Sequence, residues 1–379
     1  MGRTLIVTND FPPRPGGIQT FVHALATRRP VDSVVVYAPA WRGAAAFDAE
    51  QPYPVVRHPT SLMLPVPSVA RRAAGLIRAH ACDSVLFGAA APLALLAPAL
   101  RRAGATRFVG LTHGHETGWA MLPGARSMLH RIGEVTDTVT YLGEYTRERL
   151  ARALSPAAAA RMTRLAPGVD EGVFRRGAGG TEVRGRYGLG DRPVVVCVSR
   201  LVPRKGQDAL LHAWPHVLRR VPDARLLLVG GGPYRPTLEA LAAELGVAAS
   251  VRFTGSVPWP ELPAHYDAGD VFAMPCRTRR HGLDVEGLGM VYLEASATGL
   301  PVVAGDSGGA PDAVLDGETG FVVPGRSVRD LADRLCGLLT DPDRARAMGE
   351  KGRSWVEREW RWDLVARRLD ALLTGDPSW

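Results

Sequence analysis

The chain has 379 residues, 46% of them hydrophobic and 22% charged, with a formal net charge of +8. That length exceeds one ordinary core and implies two domains, while the composition excludes a disordered or fibrous protein. No apolar run reaches the ~18 residues a bilayer span needs, and the start of the chain enters a strand-like run at Thr4 without a signal-peptide pattern, so a cytoplasmic location is expected.

In chain order, residues 4–8, 33–37, 84–87, 108–112 and 138–141 read as strands, with helical patterns at 18–27, 69–80, 93–102 and 145–154. The second half repeats the plan, with strands at 194–198, 226–229, 251–254, 271–274, 301–304 and 320–323, helices between them, and two or three helices closing the chain. The alternation predicts an α/β fold in which each half is a doubly wound parallel sheet covered on both faces. Two such domains would face a shared cleft, with ligands bound at the carboxyl ends of the strands. Ala166-Pro167-Gly168-Val169-Asp170 and the Gly-rich residues 175–180 have the composition of a linker and turn. Domains are therefore expected at 1–168 and 169–358, with residues 359–379 as a helix crossing back to the first.

The charge is unevenly placed. Residues 1–167 hold 19 Arg against 10 acids (+9), whereas the remainder holds 27 basic and 28 acidic residues (−1). A basic half suits an anionic partner such as a membrane surface, a nucleic acid or a phosphorylated ligand; a merely Arg-rich composition, 44 Arg against two Lys, gives the same excess. The Arg residues form no run interleaved with aromatics, and no helix-turn-helix or zinc pattern occurs, which argues against nucleic acid. Cys82, Cys197, Cys276 and Cys336 are far apart, lack metal-ligand spacing, and read as reduced packing residues.

Four stretches carry chemistry. After the first strand, Gly16-Gly17 opens a helix, where backbone N–H groups can approach a phosphate; a tight turn without a ligand reads equally well. After the strand at 194–198, Arg200 leaves the strand end and Lys205 precedes a helix start, so both cations can reach a diphosphate, although two solvated loop charges are the plain alternative. Glu286 lies in a glycine-flanked loop, and Glu294 lies eight residues on, inside the helix the loop opens. That spacing lets one carboxylate approach a sugar while the other accepts ribose hydroxyls, with the amides of Gly287-Leu288-Gly289 beside the phosphates. Residues 61–78 combine Leu62, Leu64 and Val66 with Arg71, Arg72 and Arg78. They read either as a membrane-interface segment or as a domain helix packing Leu76 and Ile77 inward.

Taken together, Glu286 and Glu294, Ser199-Arg200-x4-Lys205-Gly206, Gly230-Gly231-Gly232-Pro233, Gly16-Gly17 and Pro167-Gly168-Val169-Asp170 resemble the retaining glycosyltransferases of family four, over essentially the whole chain. Asn9-Asp10-Phe11-Pro12-Pro13, Thr112-His113-Gly114-His115-Glu116 and the stretch from Met274 to Gly289 are most similar to the actinobacterial GDP-mannose-dependent phosphatidyl-myo-inositol mannosyltransferases, nearest to the one that adds the second mannose. The resemblance implies the GT-B fold, with an acceptor-binding first domain and a nucleotide-sugar-binding second domain. It also implies that Arg200 and Lys205 bind the donor diphosphate, that Glu286 touches the sugar hydroxyls and that Glu294 holds the ribose. His113 or His115 would lie near the sugar O6 and the acceptor, with Gly16 and Gly17 leaving room for the diphosphate. His281 stands where relatives often have Gly.

The expected reaction is retaining transfer of mannose from GDP-mannose to a phosphatidylinositol mannoside-type acceptor, with the protein held peripherally at the inner face of the plasma membrane. No carboxylate is obviously placed as a nucleophile, so the resemblance implies a front-face mechanism in which the leaving phosphate helps deprotonate the acceptor. No cofactor is expected, and no metal ion, because no Asp-x-Asp metal site occurs in the donor-loop context and cationic side chains can serve the leaving group. Two alternatives are a related transferase using another nucleotide sugar and a soluble secondary-metabolite acceptor, and a non-catalytic nucleotide-sugar binding protein.

Overall fold

The structure is a computed structural model that describes residues 2–114, 116–120 and 122–376. The chain divides into two compact units, Met1–Pro167 with Asp363–Trp379, and Gly168–Trp362.

In the first unit the strands are β1 (Arg3–Val7), β2 (Val34–Pro39), β3 (Val55–His58), β4 (Cys82–Phe87), β5 (Arg107–Gly110), β6 (Thr138–Tyr141) and β7 (Thr163–Arg164). They form one parallel sheet in the order β3-β2-β1-β4-β5-β6-β7. Leu5, Ile6 and Val7 of the inner strand β1 are fully buried, as a strand with helices on both faces requires. The buried hydroxyls of Thr4 and Ser84 satisfy each other at 2.8 Å. Two strands were not legible in the sequence pattern: β3 is a half-buried edge strand, and β7 has only two residues. The helix expected at 93–102 is a 3-10 turn, Leu93–Leu96, followed by the α-helix Ala97–Arg101, with Pro98 confined to its first turn.

In the second unit the strands are β8 (Val194–Val198), β9 (Arg225–Val229), β10 (Val251–Gly255), β11 (Val271–Met274), β12 (Val302–Gly305) and β13 (Gly320–Val323), parallel in the order β10-β9-β8-β11-β12-β13. All five residues of β8 are buried. Three helices close the chain: Val328–Leu339, Pro342–Glu359 and Trp362–Thr374. Residues 175–180 are not a free linker. The N–H groups of Gly177 and Gly180 donate to Asp267, and the Arg176 guanidinium donates to the carbonyls of Gly269 and Gly299, which ties the stretch down onto the unit.

All four cysteines are buried and unpaired. Burial pushes the Cys197 thiol up to about 12 and the Cys276 thiol up to about 11, so both stay protonated packing groups. Among the described residues no helix is long and apolar enough to cross a membrane.

Candidate active site

Most of the candidate residues converge at the carboxyl ends of β8, β11 and β12 in the second unit. The chain leaving β8 passes through Ser199 and the exposed Arg200, then a 3-10 turn, Pro203–Lys205, into the helix Gln207–Arg220. Gly230, Gly231 and Gly232 follow β9, and Gly230 and Gly232 lie against the backbone of Ser199–Leu201. A Cβ on Gly230 or Gly232 would stand 2.1 or 2.2 Å from the carbonyl oxygen of Ser199 or Leu201. The N–H of Leu201 donates to Gly231 O at 2.9 Å, so this close approach fixes the backbone that carries Arg200.

Lys205 is buried, and its Nζ lies 2.6 Å from Oε2 of the buried Glu286. Arg204 Nε stands 3.8 Å from the same oxygen and 3.8 Å from Asp284. The Glu286 backbone is pinned on both sides, its N–H donating to Ser307 Oγ at 3.2 Å and its carbonyl accepting from Gly309 N at 2.9 Å. Two residues thus come from loops 81 positions apart into one ion pair.

Beyond Glu286, Gly287, Leu288 and Gly289 lead into the helix Met290–Ala297. Gly289 has φ +81°, and a Cβ there would meet the Tyr292 ring at 2.4 Å, so only glycine fits. The helix start has no side-chain cap, so no capping side chain competes with an anion there, although the Tyr292 N–H turns back to Gly289 O at 3.0 Å. Glu294 is half-buried in this helix and accepts a hydrogen bond from the Tyr266 hydroxyl at 2.5 Å. Burial raises its carboxyl above the ordinary range, and the Tyr266 hydrogen bond opposes that rise.

His281 adopts φ 54° and ψ 36°, between Arg280 (φ 48°) and Gly282 (φ 92°). The loop therefore stays left-handed although a histidine replaces the glycine favoured there. Paired hydrogen bonds between the backbones of Arg279 and Asp284, at 2.9 and 3.2 Å, close it.

Gly16, Gly17 and His113 belong to the first unit. Gly16 (φ 154°) precedes the helix Gly17–Thr27, and a Cβ on it would strike Gln19, whereas Gly17 has open space. Gln19 in turn donates to Asp10 Oδ1 at 2.7 Å. The ring of His113 donates from Nε2 to Gly88 O at 2.6 Å, which in the neutral ring fixes the acceptor on Nδ1. Its backbone N–H donates to Glu116 Oε2 at 3.0 Å, and its ring stands edge-on to Phe21. His115 lies outside the described residues.

Sequence reasoning missed Tyr266, Ser307 and Arg204 as supports of the two carboxylates. Only Arg204 carried a signal, its adjacency to Lys205. In residues 61–78, Leu62, Leu64 and Val66 are exposed (53, 50 and 40%), while the next helix, Pro67–His80, packs Leu76 and Ile77 inward as the second reading of that stretch expected and leaves Arg71, Arg72 and Arg78 exposed. The loop ahead of that helix is held by Asn9, whose side chain exchanges two hydrogen bonds with the Met63 backbone at 2.7 and 2.9 Å. Among the described residues no group of three or more His, Cys, Asp or Glu side chains is placed to hold a metal ion.

Comparison with known proteins gives a consistent set of likenesses. The family described as glycosyl transferases group 1 matches residues 181–355, and glycosyltransferase family 4 matches residues 15–172. The GDP-mannose-dependent alpha-(1-6)-phosphatidylinositol monomannoside mannosyltransferase of Mycobacterium tuberculosis is 56% identical, with 100% of both chains covered. Its namesake in Mycolicibacterium smegmatis is 57% identical, with 98% of each chain covered. The Corynebacterium glutamicum GDP-mannose-dependent monoacylated alpha-(1-6)-phosphatidylinositol monomannoside mannosyltransferase is 46% identical, over 99% of this chain and 98% of the relative. In structure the chain is similar to Anabaena Alr3699/HepE solved with UDP, with a TM-score of 0.83, 19% identity, and 98% of this chain and 100% of that chain covered.

Proposed function

The chain belongs to the family 4 glycosyltransferases, with the GT-B architecture of two Rossmann-like units, and from that premise we propose that it transfers mannose with retention from GDP-mannose to a phosphatidylinositol mannoside-type acceptor. The observation that carries this reading is full-length identity of 46–57% to three enzymes named for that donor and acceptor.

The site chemistry fits a nucleotide-sugar transfer. As the sugar–phosphate bond breaks, another unit of negative charge develops on the distal phosphate. Arg200, Lys205 and the uncapped start of the helix Met290–Ala297 would meet it. Lys205 reaches the phosphate by leaving Glu286, and Glu286 is then available to a sugar hydroxyl. Glu294 would accept the ribose hydroxyls. On the front-face route the acceptor oxygen bonds to the anomeric carbon on the side the phosphate leaves, and the acceptor proton passes to a departing phosphate oxygen. His113, its ring fixed by Gly88, would orient the sugar O6. No metal is needed in this scheme: turnover should hold nearly constant in EDTA, and a loss restored by Mg2+ would refute it.

The acceptor suggests peripheral attachment to an anionic membrane. Exposed Leu62, Leu64 and Val66, with Arg71, Arg72 and Arg78 on the next helix, support this reading for the first unit. Calorimetric titration with GDP-mannose, GDP-glucose and UDP-glucose tests the donor assignment. Tightest binding of GDP-mannose is expected, and preference for a uridine donor would reject it.

A further inference from the structure

The Tyr266–Glu294 pair stands apart from the assigned residues because Tyr266 belongs to no motif and is fully buried, yet its hydroxyl ends on a donor-site carboxylate. Tyr266 sits in the short helix Leu262–Asp267, 28 residues before Glu294. Its ring is clamped, edge-on to Phe174 at 5.6 Å and stacked on Phe272 at 5.7 Å. Phe272 is in turn edge-on to Tyr292, whose hydroxyl donates to Met274 O at 2.7 Å. The hydroxyl of Tyr266 therefore has little freedom to move.

A half-buried carboxylate with one oxygen held presents the other in a set direction. An unheld one rotates and takes a proton more readily, since burial already favours its neutral form. We propose that Tyr266 is a positioning residue that holds the Glu294 carboxyl group aimed, and thereby sets the preference of the site for ribose over deoxyribose in the donor nucleotide. The inference rests on the reading of Glu294 as the ribose holder. Tyr266 touches no substrate and acts only through that carboxylate. Losing the hydroxyl leaves the ring packing intact, so Tyr266→Phe isolates the hydrogen bond.

The test is calorimetric binding of GDP and 2′-deoxy-GDP to the wild type, Tyr266→Phe, Glu294→Ala and the double variant. The wild type should favour GDP by about 10- to 100-fold, the range of a hydrogen bond to a charged group. Tyr266→Phe should cut that preference to about threefold or less, raise the donor KM, and leave kcat at saturating donor within about twofold. In the Glu294→Ala background, where no side chain is left for the hydroxyl to hold, Tyr266→Phe should change the preference no further. If the wild type discriminates and Tyr266→Phe discriminates equally, the positioning role is overturned, whatever happens to the unfolding temperature. If the wild type does not discriminate, the reading of Glu294 fails first.

Discussion

The ammonium of Lys205 and the carboxylate of Glu286 lie 2.6 Å apart with side chains only 10 and 9% exposed, so each neutralises the other. A donor carrying both a diphosphate and a sugar can replace both halves of that pair, whereas GDP alone can replace only one. Glu286→Gln should therefore bind GDP about three- to tenfold more tightly, because Lys205 no longer has to leave a buried anion, while transfer from GDP-mannose falls sharply. Calorimetry with GDP and steady-state rates with GDP-mannose check the two halves; weaker GDP binding would contradict the exchange.

Arg200→Ala and Lys205→Ala should each lose on the order of 10- to 100-fold in turnover at saturating donor, because a cation at the leaving phosphate is worth more once charge has developed there. Their stabilities should differ. Arg200 is exposed, and its removal should stay within about 0.5 kcal/mol. Lys205→Ala leaves Glu286 buried with Arg204 3.8 Å away, and should cost about 3 kcal/mol, visible in denaturant unfolding. Raised donor KM with unchanged turnover in both variants would assign them to ground-state binding only.

Glu294 makes stability and nucleotide binding oppose each other. Its carboxyl is raised above its unfolded value by burial. The folded state therefore holds that proton more tightly, and stability from this group, complete below the unfolded pKa, is lost as pH rises through the folded one. Glu294→Gln, which can still accept from Tyr266, should unfold at a higher temperature than the wild type at neutral pH, with the advantage vanishing in acid. The same variant should bind GDP about tenfold more weakly. Thermal scans across pH, paired with calorimetry, read both effects.

Much of this was legible in the sequence, and the limits have physical causes. Both sheets were readable because their inner strands, such as Val194–Val198, are continuous apolar runs buried on both faces. The edge strand Val55–His58 was not, since half-burial allowed Arg57 and His58 into it. Glu286 and Glu294 stood out because a glycine-flanked loop opens the helix that holds Glu294, and Lys205 because it is one of two Lys among 44 Arg and precedes a helix start. That Lys205 and Glu286 form an ion pair was not readable, because no local pattern encodes a contact across 81 positions. Tyr266 was hidden for the same reason: one tyrosine in a six-residue helix looks like packing, and most of its ring is packing.

For the membrane, Leu62→Ser/Leu64→Ser should weaken binding to phosphatidylinositol vesicles several-fold without lowering the unfolding temperature, since both side chains are about half exposed. Neutralising Arg71, Arg72 and Arg78 should flatten the salt dependence of vesicle binding and leave GDP affinity alone. Sedimentation with vesicles at low and high salt distinguishes the two contributions. Unchanged vesicle binding in both variants would remove this segment from membrane attachment.

Incubation of the purified chain with isotopically labelled GDP-mannose, phosphatidylinositol monomannoside in vesicles and a panel of soluble polyol acceptors, followed by mass spectrometry and anomeric NMR of the products, tests the central claim most directly. One α-linked labelled mannose added to the lipid acceptor is the predicted product, and label on a soluble acceptor alone, or a β-linkage, would contradict the account.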